Sequence, residues 1–204
     1  MPDDEERLLE RLRARDPQAL TALVTRHHGS LVRVALAFVR NPATAEEVAQ
    51  ETWVRVLGSL AEFAGRSSLK TWIFRVCTNH AITRAARDGR SQPFSSLPEE
   101  EGPDSAAPGR FNGRGMWSDP PHEWEDHSAE QILARGEAMR VVRDELERMP
   151  PAQCAVLTLR DLEGLEAGEA CNVLGITESN QRVLLHRART RIRQALERLY
   201  EDGC

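Results

Sequence analysis

The stretch that decides the fold runs from Glu166 to Tyr200: Glu166–Leu174 (EAGEACNVL), the turn Gly175-Ile176-Thr177, then Glu178–Tyr200 (ESNQRVLLHRARTRIRQALERLY). A short helix, a tight turn and an arginine-studded second helix follow one another without interruption, which is the layout of a helix-turn-helix. At about 100° per residue, Leu185, Ala188, Ile192 and Leu196 line up as one apolar stripe that belongs in a core. Ser179, Asn180, Val183, His186, Arg187 and Thr190 share the opposite side. Arg182, Arg189 and Arg193 border that face on one flank, Arg191 and Arg198 on the other. Short polar and methyl-bearing side chains between arginines suit a major groove, with base edges in the middle and phosphates on both sides. Arg187 and Arg189 read as phosphate or guanine contacts rather than structural ion pairs, because few acids lie near in sequence. Val183 is placed to touch a thymine methyl.

Working outward, the net charge of -5 is unhelpful until it is divided along the chain. Residues 91–130 hold nine acids against two arginines, whereas residues 66–90 hold six Arg or Lys against Asp88 alone. Two basic patches separated by an acidic spacer fit nucleic acid better than the total does. Cys77, Cys154, Cys171 and Cys204 stand far apart with no Cys-x-x-Cys pair, so neither a zinc site nor a disulfide framework is expected. No apolar run has bilayer-spanning length, and the acidic N-terminus does not read as a signal peptide. A cytoplasmic location without membrane insertion is the expectation.

Strand signals are absent, and helix signals recur. Asp16-Pro17 and Asn41-Pro42 each pair an N-cap residue with proline at the first helical position. The spacing predicts helices at about 4–14, 17–39, 42–60 and 68–88, with Leu20, Leu23, Val24, Leu31, Val34, Ala35, Phe38, Val48, Trp53, Leu57, Leu60, Trp72, Ile73 and Val76 as their core. Six prolines and four glycines between 91 and 130 mark a flexible linker. About 40 extended residues reach on the order of 130 Å, beyond the roughly 70 Å of two DNA turns. Further helices are predicted at about 129–148, 151–162, 166–174 and 178–200. The expected organisation is an all-α chain: an N-terminal helical bundle over 1–88, an acidic Pro/Gly-rich linker over 89–128, and a helix-turn-helix domain over 129–204. Trp117 and Trp124 flank Pro120-Pro121 in the linker and need a cover, either this chain or a partner.

Three motifs now resemble one family, the extracytoplasmic-function (ECF) sigma factors of the sigma-70 type. Ala45-Glu46-Glu47-Val48-Ala49-Gln50-Glu51-Thr52-Trp53-Val54-Arg55 looks like the family's helix that docks on the clamp helices of the polymerase largest subunit. Phe63-Ala64-Gly65-Arg66-Ser67-Ser68-Leu69-Lys70-Thr71-Trp72-Ile73 is similar to the loop and helix that open and read the -10 element. Leu157 to Leu165, Leu174-Gly175-Ile176 and His186-Arg187-Ala188-Arg189 resemble the -35-binding domain. The resemblance implies that the N-terminal bundle is sigma region 2 and the C-terminal domain sigma region 4. It implies polymerase contacts at Glu47, Gln50, Glu51 and Arg55 around Trp53 as an aromatic anchor. For single-stranded -10 DNA it implies Phe63, Gly65, Arg66, Ser67, Ser68, Lys70, Trp72, Arg75 and Asn79, with Arg84 and Arg87 for phosphates and His80 near the bases. For the -35 element it implies Ser179, Asn180, Arg182, Val183, His186, Arg187 and Arg189. The implied partners are core RNA polymerase, through its clamp helices and flap region, promoter DNA, and a cognate anti-sigma factor. Trp72 taken alone reads as core rather than stacking platform. Departures concern specificity: Asn180-Gln181-Arg182-Val183-Leu184-Leu185 stands where Thr-Val-Lys-Ser-Arg-Leu is common.

No glycine loop for phosphates, nucleophile elbow or metal-ligand cluster appears, so no enzyme, cofactor or metal is expected. Two other classes stay open on the residues: a helix-turn-helix regulator that does not replace sigma, and an adaptor working through the linker tryptophans.

Overall fold

The computed structural model describes residues 2–89 and 129–202. The linker expectations, Trp117, Trp124 and the rest of 90–128, lie outside the described residues. Among those described there is no strand. The N-terminal part is α1 (Pro2–Arg13), α2 (Pro17–Val39), α3 (Pro42–Ser59), a 3-10 turn (Leu60–Glu62) and α4 (Leu69–Arg87). The C-terminal part is α5 (Ala129–Arg148), α6 (Pro151–Leu157) with a π-helical continuation (Thr158–Leu162), α7 (Ala167–Leu174) and α8 (Glu178–Asp202).

Side-chain caps set the starts of three helices. The Asp16 carboxylate accepts from the Gln18 and Ala19 amides, Asn41 from Thr44 and Ser68 from Thr71, which satisfies donors that a helix start leaves open. Helix α2 stops where Arg40 turns left-handed at φ 58° and its amide returns to the Leu36 carbonyl. In the π-helical segment the Glu163 amide bonds to the Thr158 carbonyl at 2.9 Å, one residue further back than in an α-helix.

The bundle closes over Leu31, Val34, Phe38, Val48, Val56, Ile73 and Phe74, all buried. Leu57 departs from the expected core and faces solvent. Leu12, Phe63, Phe74 and Cys77 are buried although the periodicity did not single them out. Burial pushes the Cys77 thiol up to about 12, so at neutral pH it is an inert apolar group.

The larger departure is how the halves sit. Their buried residues form one connected cluster that runs from Leu31 and Ile73 to Met149, Val156, Leu159 and Leu185. Helix α2 packs on α6, and α4 packs on α7. A tether permits separation; the structure shows the halves docked. Arg40 pins the junction, because its guanidinium caps the C-terminal end of α5. It donates to Leu146 O at 3.0 Å, to Glu147 O at 2.6 Å and to Met149 O. Arg40→Ala is expected to lower stability by about 2 kcal/mol, the scale of charge-assisted bonds lost to carbonyls that stay partly buried. Arg40→Lys keeps the charge but not the fork, and should fall between the two. Urea unfolding of the three proteins checks the order. All three residues meet the same left-handed backbone there, so the comparison isolates the side chain.

Candidate nucleic-acid interface

Between the 3-10 turn and α4 the chain passes through a loop of six residues, 63–68. Gly65 lies in it at φ +67°, where a side chain would be strained. The loop leads to Ser68, which caps α4, and Trp72 follows one turn later. The Trp72 and Phe63 rings meet at 5.1 Å with an interplanar angle of 47°. Beside them lies a cavity of about 360 Å³. Phe63, Ala64 and Trp72 give it apolar lining, and Glu62, Arg66, Ser67, Thr71, Arg75 and Asn172 polar lining. This volume lies at the small end of ligand pockets.

Five of the nine expected -10 residues therefore surround one cavity: Phe63, Arg66, Ser67, Trp72 and Arg75. Gly65 and Ser68 shape its loop. Phe63 is buried, so it supports the Trp72 ring rather than standing free. Trp72 is only partly buried, both packed on the core and open to the cavity, which softens its reading as core. Lys70 lies over the Phe74 ring at 5.7 Å and donates to Glu163 O at 2.6 Å. Asn79 is exposed one turn beyond Arg75 on α4. His80 does not face bases: it is buried, with Nε2 3.0 Å from Glu51 Oε2. Arg84 pairs with Glu47 at 3.0 Å.

Helix α3 presents Glu47, Gln50, Glu51 and Arg55 to solvent. Trp53 lies in the core, as its spacing predicts, and does not stand out as the aromatic anchor that the resemblance implies. It is 6% exposed, and its indole Nε1 donates to His28 Nδ1 at 3.2 Å while His28 Nε2 lies 2.7 Å from Glu46 Oε1. An indole fixed inward cannot anchor a partner. The accessible apolar side chains on this helix are Val54, 73% exposed, and Leu57, 40% exposed.

In the C-terminal part Gly175 supplies the turn at φ +67°, and its amide and that of Ile176 both return to Cys171 O at 2.8 and 3.2 Å. Thr177 then starts α8 by accepting from the Asn180 amide at 3.3 Å. Leu185 and Ala188 are buried, and Ala195, outside the expected stripe, is buried too. Ser179, Arg182 and Val183 are exposed, whereas Asn180, His186 and Arg187 are half-buried. The expectation that acids are too few fails at Arg189. Asp161, from the π-helical segment, receives its Nη2 at 2.6 Å and its Nε at 2.9 Å. Arg191 is likewise held by Glu145 at 2.7 Å, so tertiary structure brings acids that sequence distance hides.

Residues 23–91 match the family described as Sigma-70 region 2, and residues 139–192 match Sigma-70, region 4. The chain belongs to the sigma-70 family. It is a sigma factor of the extracytoplasmic-function group. It is 27% identical over 202 residues to the RNA polymerase sigma-H factor of Pseudomonas aeruginosa, covering 98% of each chain. It is 24% identical over 193 residues to the ECF RNA polymerase sigma-E factor of Haemophilus influenzae, covering 94% of this chain and 95% of that one. Among solved structures, CnrH in complex with the cytosolic domain of CnrY aligns at a TM-score of 0.57 and 16% identity, over 95% of this chain and 97% of that one. RpoE in complex with the anti-sigma factor NepR from Bartonella quintana aligns at 0.58 and 17%, over 87% and 96%. At such identities the structures speak for the fold alone.

This sigma factor matches both regions in chain order, which disfavours a helix-turn-helix regulator that leaves the N-terminal motifs unused. No described helix is long and apolar enough to cross a membrane. Sequence reasoning missed Arg40, Glu163 and Glu169, whose partners lie about a hundred positions away. It also missed His28 and His80 as braces of α3. Burial lowers the His80 pKa, and burial does the same to His27. A depressed histidine favours the neutral folded form, so the unfolded chain takes up protons first as pH falls through about 6.5. The thermal midpoint of the free sigma factor should therefore fall by a few degrees between pH 7.5 and 5.5. His80→Gln should flatten that slope, as read by scanning fluorimetry.

Proposed function

We propose that this sigma factor holds core RNA polymerase through the outer face of α3 and admits an unstacked -10 base to the cavity between Phe63, Ser67 and Trp72. On this reading Val54 and Leu57 meet the clamp helices of the largest subunit, ringed by Glu47, Gln50, Glu51 and Arg55. Arg66, Ser68, Lys70, Arg75 and Asn79 hold the strand that carries the base. Helix α8 enters the -35 major groove with Ser179, Asn180, Arg182, Val183, His186 and Arg187. Arg189, engaged by Asp161, serves to orient α8 and meets a phosphate only by sharing its guanidinium. The C-terminal domain lies at the polymerase flap, and the 89–128 segment spans between the two domains toward the RNA exit path. The chain works as a cytoplasmic binding subunit without catalysis of its own. An anti-sigma factor covers it until a signal arrives, in keeping with one neighbour, RpoE, solved with the anti-sigma factor NepR.

The observation that carries this reading is the cavity. A loop with a left-handed glycine, beside a half-buried tryptophan and two arginines around a cavity of about 360 Å³, is more than a connector needs. Purified protein added to sigma-free core polymerase and a promoter library tests it. Selective initiation is expected; promoter binding without initiation, or no binding, counts against it.

A further inference from the structure

A buried indole settles which end of an exposed amide faces outward. An indole nitrogen can only donate, so the bond from Trp53 Nε1 to His28 Nδ1, at 3.2 Å, requires a bare Nδ1. The ring proton therefore sits on Nε2, which lies 2.7 Å from Glu46 Oε1 and donates to it. Hydrogen bonding from His28 is the largest influence on the Glu46 carboxyl and holds it below its ordinary range, so at neutral pH it is an ionised acceptor. The same oxygen takes Gln50 Nε2 at 3.3 Å, one turn further along α3. A carboxylate cannot donate, so the amide nitrogen of Gln50 must face Glu46, and its carbonyl oxygen is the end left to solvent or a partner. Glu47 and Glu51, the other acids of this face, are held from α4 by Arg84 and His80 at 3.0 Å each. The chain of bonds from α2 ends on Gln50.

We infer that His28 is a positioning residue for polymerase docking: through Glu46 it fixes Gln50 with its carbonyl outward, set to accept from an N–H donor of the polymerase. The inference rests on the docking reading of α3 given above and adds to it a residue of α2 that is not part of the docking face. Two things are gained. A flipped amide would offer N–H to N–H, so the relay sets the polarity of the contact. An amide already ordered in the free chain also gives up less freedom on binding, and leaving it loose costs about fivefold in affinity, the scale for one side chain of this length.

Core polymerase titrated with the labelled full chain tests this. His28→Phe fills the site but neither accepts nor donates, and should bind about fivefold more weakly. His28→Gln carries an amide that can donate to Glu46 from the place of Nε2, and should stay within about twofold of wild type. Coupling decides between positioning and general damage: His28→Phe should add nothing to the loss caused by Gln50→Ala, because no amide remains to be positioned. If His28→Phe does not fold, Glu46→Ala cuts the same chain of bonds at a side chain 45% exposed and should show the same coupling. Heteronuclear NMR of the free chain should find His28 protonated on Nε2. Losses that multiply in the double variant, equal losses in the Phe and Gln variants, or a proton on Nδ1 overturn the inference. Failure of the docking reading looks different: Gln50→Ala and Val54→Asp both bind core polymerase like wild type, which removes the role of His28 while its tautomer stays as stated.

Discussion

Replacing Val54 by aspartate is expected to weaken binding of core RNA polymerase by about thirtyfold or more, while the free chain melts as before. The two halves of that expectation have separate causes. Val54 is 73% exposed in the free chain, so a polar replacement there removes little buried contact and surface changes of this kind stay within about 0.5 kcal/mol. Gln50, Val54 and Leu57 are spaced three and four apart, which places them on one face of α3. If that face is covered in the complex, a charge stranded at its centre forfeits a hot-spot contact of 2 kcal/mol or more, about thirtyfold in affinity. Trp53→Ala behaves in the opposite way. It empties a buried site and removes the donor to His28 Nδ1, and should cost about 3–5 kcal/mol of stability. Fluorescence titration of labelled polymerase beside a thermal melt separates the two. Wild-type affinity in a folded Val54→Asp protein would remove α3 from the proposed interface.

The contrast between Trp53 and Val54 also shows where sequence reading stops. Helix starts were legible where Asp16-Pro17 and Asn41-Pro42 are local devices, with donor and acceptor two to three residues apart. The turn at Gly175 was legible for the same reason. Facing was legible in part: periodicity puts Trp53 in the core, where it lies, and puts Leu57 there too, although Leu57 is exposed. The acceptor that holds the indole, His28 Nδ1, comes from another helix and 25 positions away, where no local pattern shows it. The docking of the halves was not legible at all. It is made by Arg40 on α5 carbonyls, Arg33 on Glu163 and Glu169 on Ser68 and Thr71, pairs that no local pattern connects. Arg189 follows the same rule, since Asp161 lies 28 positions before it and reaches it only once α8 folds back on the π-helical segment.

Trp72→Ala should produce the second large effect, a loss of about 10- to 100-fold in binding of single-stranded -10 DNA, the range expected for one base stacked on one aromatic ring. The ring is placed for it: half-buried, braced by Phe63 at 5.1 Å and forming part of the cavity lining. Trp72→Phe retains a π face on the same brace and should keep most of the affinity. Binding of duplex -35 DNA, which the proposed function assigns to α8, serves as the control for folding and should not change. A premelted promoter distinguishes stacking from help in strand separation. If the ring only aided opening, a bubble at -10 would restore wild-type initiation by Trp72→Ala holoenzyme; stacking predicts that the defect persists on the bubble.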